Sequence, residues 1–241
     1  MNRVQIALLA LPGYFTSITN IEGLAATDLF ALNTLLSATI EVEVVNTLNR
    51  MRDVWDPENE WSLYRFERQA QSFPDVILRK DASSVEHIAL GVELKGWYIL
   101  AKEGEPSFRY RVTPDACTDW DLLVVVPWHL SNVLSGTPRV STPGCWSARY
   151  AAEYRNYWWQ QVRRTNKDRS IRSPESVTPY TGRENTSDKP VTDSGGNFGR
   201  IARIGIMDRW IKQIVGEPLA GIPAKDWIVF LKKHKERPNR Q

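Results

Sequence analysis

Apolar and polar positions alternate along the chain with two different periods. Across residues 26–55 the apolar set Ile40, Val44, Leu48, Met51 and Trp55 recurs at spacings of three and four, the period of a helix face. One or two helices are predicted there, ended by Asp56-Pro57. The β-branched stretch ATIEVEVV pulls the other way, because IEVEV also alternates like a strand; the longer helical period is preferred. Residues 61–72 are predicted as a short helix before Phe73-Pro74. DVILRK then reads as a strand, DASSVE turns the chain, and IALGVELKGWYIL, residues 88–100, reads as another strand. KEGEPS is a turn and FRYRV a further short strand. DLLVVVPW, residues 121–128, is almost wholly apolar, as expected for a strand in the middle of a mixed sheet.

The second half is patterned differently. WSARYAAEYRNYWWQQVRR, residues 146–164, reads as an aromatic and basic helix. Residues 165–198 are polar throughout and longer than ordinary loops, so that segment is expected to be mobile or ordered by a partner. FGRIARIGIMDRWIKQIV, residues 198–215, is predicted as a helix. Residues 222–235 form a last one, with Pro223 near its first turn. No internal repeat or linker divides the chain. A single domain over residues 1–241 is expected, of α/β (α+β) class, with its core over residues 35–130 and a further region over residues 146–241. The opening MNRVQIALLALPGYF has a short apolar core and no Ala-x-Ala site, so it reads as the mature N-terminus of a cytoplasmic protein. No stretch reaches the roughly 18 consecutive apolar residues of a membrane span.

Composition changes this picture in one respect. With 42% apolar and 24% charged residues the chain is globular rather than disordered, and its net charge of +3 is unremarkable. The charges are unevenly placed. Residues 1–148 carry 12 basic and 18 acidic side chains, and residues 149–241 carry 19 basic and 10 acidic. A basic second half suits a polyanionic partner, or is simply a solvated surface. Two cysteines, Cys117 and Cys145, are too few for a disulfide scaffold and read as reduced thiols. Three scattered histidines form no zinc cluster, and His129, alone at a strand end, reads as structural.

Chemistry concentrates in Phe73-Pro74-Asp75 and Gly91-Val92-Glu93-Leu94-Lys95. Side chains alternate along a strand, so Glu93 and Lys95 share one face while Val92 and Leu94 point into the core with Ile88 and Leu90. Two charges on an otherwise apolar strand need a partner or a metal, because burying an unpaired charge is costly. Asp75 and Glu93 suit a hard divalent cation bound through oxygen, with the backbone carbonyl of Leu94 completing the shell. Lys95 lies one strand step further on, placed to orient the attacking water or to stabilise charge developing on a phosphoryl group. Gly91 and Gly96 flank the trio and permit close approach of a backbone ligand. Asp119 and Asp121 read as turn residues in preference to a place at the active-site edge.

Pro74-Asp75 followed by Glu93-Leu94-Lys95, with 17 residues between the two acids, resembles the PD-(D/E)XK nuclease superfamily. The resemblance implies a restriction-endonuclease-like core, a central mixed sheet flanked by helices, with the motif on neighbouring strands. It implies Mg²⁺ as cofactor and phosphodiester hydrolysis by in-line attack of water. Members also carry an acid on the preceding helix; Glu41 and Glu43 are the candidates, and Glu41 is preferred because apolar Val44, Val45 and Leu48 follow it. The chain's size, with no Walker A, helicase or methyltransferase motif, is similar to standalone Type II restriction endonucleases. That implies double-stranded DNA as partner, a homodimer, no nucleotide cofactor, and ends carrying 5′-phosphate and 3′-hydroxyl. Repair and processing nucleases share the motif, and a non-catalytic DNA-binding or scaffold protein is the alternative of another class.

DNA contact is expected from the basic half: Arg149, Arg155, Arg163 and Arg164, then Arg172, Arg183 and Lys189, then Asn197, Arg200 and Arg203. The interleaved aromatics can stack on bases, although for Trp158 and Trp159 a place in the core is preferred. Ser194-Gly195-Gly196-Asn197 lets the next helix start close to a phosphate.

Overall fold

The computed structural model of the chain describes residues 2–22, 28–69, 72–80, 87–164, 168–180 and 185–235. Three helices come first: α1 (Asn2–Tyr14), α2 (Leu32–Arg50) and α3 (Arg52–Trp55). In α1, Val4, Ala7, Leu8 and Leu11 share one face and are buried against α2 and α3. In α2 the helical period prevails over the alternation of IEVEV. Ile40, Val44 and Leu48 are buried, whereas Val42, which a strand would place on the same face as Ile40 and Val44, is exposed.

The helices pack on a six-stranded mixed sheet built from β1 (Arg65–Arg68), β2 (Val76–Arg79), β3 (Ile88–Tyr98), β4 (Leu122–Leu130), β5 (Pro138–Val140) and β6 (Gly144–Ser147). The first three strands pair antiparallel in chain order. β4 runs parallel to β3 from Val92↔Leu122 to Tyr98↔Trp128. β5 and β6 lie end to end along the outer edge of β4, both antiparallel to it, and the Ser141 N–H donates to the Pro127 carbonyl between them (2.8 Å). Leu122 to Trp128 are all buried, as their unbroken apolar run requires.

Four sequence expectations fail here. Residues 61–72 hold strand β1 instead of a helix. Phe66 is buried edge-on against Trp55 (5.4 Å), and the Asn49 amide bonds both its N–H and its C=O (2.9 Å each). Asn49 thus stands in for a neighbouring strand, while Trp61 and Leu63, which a helix would bury, are exposed. FRYRV is extended but forms only isolated links: the Tyr110 N–H donates to Gly199 (2.7 Å), and Arg111 and Thr113 bond Asp188 and Thr186. Those links correct the third expectation. The described part of 165–198 is ordered by the protein's own core, with Asp188 and Phe198 fully buried and a short hairpin of β7 (Ile171–Arg172) and β8 (Lys189–Pro190). Lastly, residues 198–215 are not one helix. A turn at Ile201–Arg203 is separated from α5 (Asp208–Gly216) by Gly205, whose φ of 95° a helix cannot use.

The predicted 146–164 helix is α4 (Ala148–Tyr157), capped by the Ser147 hydroxyl, followed by a π-helical turn over Trp158–Val162. A two-stranded hairpin, β9 (Pro218–Leu219) and β10 (Ile222–Pro223), leads into α6 (Ala224–Lys235). One hydrophobic cluster runs from Val4 to Leu231. Among the described residues no helix is long and apolar enough to cross a membrane.

Candidate active site

β3 is eleven residues long and β2 only four. Their register starts at Val76↔Val92, so β3 overhangs β2 beyond Val92. Alternate N–H groups along that overhang face the side that β2 has vacated, and a sheet edge with unmet donors has to be satisfied somehow. Three side chains do it. Asp75 Oδ2 accepts from the Leu94 N–H (3.1 Å), Glu41 Oε1 from the Gly96 N–H (3.3 Å) and Asn33 Oδ1 from the Tyr98 N–H (2.8 Å). Asp75 comes from the residue just before β2, and Glu41 and Asn33 come from α2, which lies across β3.

The same overhang carries Glu93 and Lys95 on one face. Lys95 Nζ sits 2.7 Å from Asp75 Oδ2 and 2.9 Å from Glu93 Oε1. The sequence-predicted trio is therefore assembled in one place. It is half open: Glu93 is buried, while about a quarter of the Lys95 side chain and 30% of Asp75 reach solvent. Glu41 lies beside it and Arg68 of β1 stands 3.8 Å from its other oxygen. Glu43 does not join; its Oε1 accepts from the Ser17 hydroxyl (2.9 Å).

Three carboxylates face two cations here, and the carboxyl groups respond. Burial pushes Glu93 up to about 7, opposed by Lys95 and reinforced by the charge of Asp75. Burial also raises Glu41, opposed by its bond from the Gly96 N–H and by Lys95. The flanking carboxylates overcome burial at Lys95 and hold its ammonium charged well above the usual range. Glu93 thus keeps its proton to near neutrality, and the carboxylates outnumber the cations only once that proton leaves.

The donors fit a hard cation. Asp75 and Glu93 are oxygen ligands whose mutual repulsion a cation would relieve. A strand residue's N–H and C=O leave on the same side, so the Leu94 carbonyl faces the open edge too. Mg²⁺ takes one or two carboxylates and fills its remaining positions with water. Among the described residues no group of three or more His, Cys, Asp or Glu side chains is gathered so as to hold a metal. Glu41 stays on Gly96 and Arg68.

No family model matches the chain, and neither does any curated protein or solved structure compared with it.

Other residues singled out in the sequence fall elsewhere. Gly91 and Gly96 admit packing instead of a ligand: the Pro74 ring lies where a Gly91 side chain would be, and Ser37 lies over Gly96. Asp121 is buried, taking the N–H groups of Gly91 (2.7 Å) and Thr118 (2.8 Å) and the Tyr180 hydroxyl (2.6 Å). It ties the start of β4 to β3. Asp119 is exposed near Arg149 (3.5 Å). His129 is half-buried at the end of β4, with Nδ1 3.0 Å from the Leu130 carbonyl. Cys117 and Cys145 are free thiols, each pushed up to about 12 by burial.

The basic residues divide sharply. Arg155 is buried and bonds Asp188, Asn156 and the carbonyls of Tyr110 and Val112, so its expected contact with DNA is corrected to a core role. Arg149 is half-buried and bonds the Cys117 carbonyl (2.9 Å). Arg164, Arg172, Lys189, Asn197 and Arg203 are exposed, and Arg163 and Arg200 partly so. Arg183 lies outside the described residues. Trp159 is core, as preferred from sequence, but Trp158 is only half-buried. Asn33 and Arg68 were not read as site residues. The mismatch in length between the two predicted strands was the available signal for Asn33.

Proposed function

We propose that the chain is a Mg²⁺-dependent endonuclease that hydrolyses phosphodiester bonds of double-stranded DNA at a specific short sequence, on a restriction-endonuclease-like core. The observation that carries this reading is the meeting of Asp75, Glu93 and Lys95 at the open edge of β3, with Glu41 beside them. The mixed sheet, with Asp75 at the entry to β2 and Glu93 and Lys95 on the neighbouring β3, is close to the arrangement that the resemblance implies.

When bound, Mg²⁺ supplies a Lewis acid for a phosphate oxygen and a water of lowered pKa. Asp75, Glu93 and the Leu94 carbonyl would hold it. Glu93 gives up the proton it otherwise keeps at its carboxyl group. Lys95 would keep its charge and offer Nζ donors to the attacking water and to the charge developing on the phosphoryl group. Arg164, Arg172 and Lys189 are exposed cations for phosphate contact, and Arg203 is exposed but paired with Glu105. By resemblance the products carry 5′-phosphate and 3′-hydroxyl ends, and two copies of the chain cut the two strands.

A structural reading competes, because Lys95 bridges both carboxylates and a simple ion-pair cluster would do the same. The test is incubation of unmethylated plasmid and phage DNA with the protein, in Mg²⁺ and in EDTA, with Asp75→Ala and Lys95→Ala alongside. Discrete fragments that need Mg²⁺ are expected, with a loss of about 100-fold or more in either variant. A smear would point to a repair or processing nuclease. A folded protein that cuts no DNA with any divalent metal would leave the ion-pair cluster as scaffold.

A further inference from the structure

A cavity of about 390 Å³, with none of the Asp75-corner residues in its lining, is bounded by Trp158, Arg163, Asn197, Arg200, Arg203 and Ile204. Its walls come from two unusual pieces of backbone. On one side the π-helical turn after α4 closes with the Arg163 N–H on the Trp158 carbonyl (2.9 Å). Such widened turns recur at functional sites. This one sends Trp159 into the core, edge-on to Phe198 (5.2 Å), and leaves the Trp158 indole as a wall. On the other side the loop before Phe198 folds over Asp193, whose carboxylate takes the N–H groups of Asn197 (2.7 Å) and Phe198 (3.2 Å). Both bonds end on Oδ1, and the Asp193 charge also acts on Arg163.

The arginines are less well matched. Arg203 pairs with Glu105. Arg200 donates Nε to the Gly196 carbonyl (3.2 Å), and its terminal nitrogens have no partner among the described residues. Arg163 lies flat on the Trp159 ring (3.5 Å) and gives one N–H to the Asp168 carbonyl (3.3 Å), while its Nε is shielded from solvent with no partner. Burial and the neighbouring Arg169 hold Arg163 below its ordinary range, opposed in part by Asp193 and Asp168. Arg109 lies against Gly196 and adds a further guanidinium nearby.

Planar guanidinium groups with spare donors suit the paired oxygens of a phosphate or a carboxylate, and the half-buried Trp158 indole beside them offers a stacking surface to a base. The volume lies at the lower end of the roughly 300–1,000 Å³ of small-molecule sites. We propose that this cavity binds a nucleotide, its phosphate on Arg163 and Arg200 and its base against Trp158. The proposal stands whether or not the chain cleaves DNA. The nucleotide is either free or the terminal one of a DNA strand. A strand end has a structural link to the catalytic corner: the Tyr110 N–H holds Gly199 next to Arg200, and the Tyr110 ring meets Phe73, two residues before Asp75 (6.5 Å).

The full chain would be titrated calorimetrically in EDTA with deoxyadenosine monophosphate, deoxyadenosine, inorganic phosphate, and a short duplex with 5′-phosphate or 5′-hydroxyl ends. The monophosphate is expected to bind at least about tenfold tighter than either of its fragments. Arg200→Gln should weaken it about tenfold with an unchanged melting temperature, whereas Trp158→Leu should weaken the monophosphate and spare inorganic phosphate. Asp75→Ala should bind like the wild type. Competition by the phosphorylated duplex but not the hydroxyl one would assign the ligand as a strand end; competition by neither would assign it as a free nucleotide. Absent binding of the monophosphate, binding indifferent to both cavity variants, or binding lost in Asp75→Ala would overturn the proposal.

Discussion

Arg155 and Lys95 each stand against carboxylates inside the protein, in surroundings that differ in closure and in charge balance. Arg155 and Asp188 are sealed off, with the guanidinium covered by Phe198 and its donors spent on Asp188, Asn156 and two carbonyls. Lys95 reaches solvent and faces Asp75 and Glu93 together, with Glu41 close by. A closed cluster is out of a ligand's reach, even though Asp188 Oδ1 keeps an acceptor without a partner among the described residues. The open cluster keeps raised carboxyl groups within reach of solvent, the kind of perturbed acids that functional sites gather, and it is there that a cation is proposed. The difference also explains why charge alone misled the reading of the basic half, since a sequence does not reveal which arginines are already matched.

The largest expected effect breaks the closed cluster. Arg155→Ala leaves Asp188 buried without its cation and should cost about 3–5 kcal/mol of stability. Lys95→Ala should cost no more than about 1 kcal/mol, because the pair is partly exposed and Glu93 can take up a proton. Urea unfolding of the two variants side by side measures this. Equal losses would show that the Lys95 cluster is structural after all.

The pH dependence of stability sharpens the same contrast. Glu93 binds its proton more tightly folded, at about 7, than unfolded, at the ordinary 4.5. Its contribution to stability is therefore fully present below pH 4.5 and is lost as pH rises through 7. Without metal, the wild type should lose on the order of 2 kcal/mol across that window relative to Glu93→Gln. Unfolding free energies of both proteins at pH 4.5, 6 and 7.5 decide it; parallel curves would mean that Glu93 is not held protonated.

Much of the sheet was legible in the sequence. The apolar run of β4 and the alternation of β3 identify those strands and give Glu93 and Lys95 a common face. The motif spacing brought Asp75 to them. Other features depended on contacts between distant residues. β1 exists because Asn49, 17 positions from Phe66, satisfies its outer edge. The preference for Glu41 over Glu43 rested on apolar neighbours, but what distinguishes the two is the unmet Gly96 N–H beyond the end of β2. Residues 185–198 look like loop because their composition is polar, and they are ordered by Asp188 and Phe198, each invisible until Arg155 and Trp159 are seen to face inward.

Asp121 supplies the intermediate case, a buried carboxylate with no cation in bonding contact. Three neutral donors satisfy it: the N–H groups of Gly91 and Thr118 and the Tyr180 hydroxyl. Because Gly91 is two residues from Glu93, Asp121 fixes the strand that carries the site without entering it. Tyr180→Phe removes one donor and leaves two, so the carboxylate stays satisfied. The expected cost is about 1–2 kcal/mol, smaller than that of stripping Asp188 of its cation. Cleavage, measured well below the melting temperature, should be unchanged within about twofold, since the remaining bonds still hold Gly91 in place. A folded Tyr180→Phe protein with cleavage reduced as far as in Lys95→Ala would move Asp121 from the support of β3 into the active site itself.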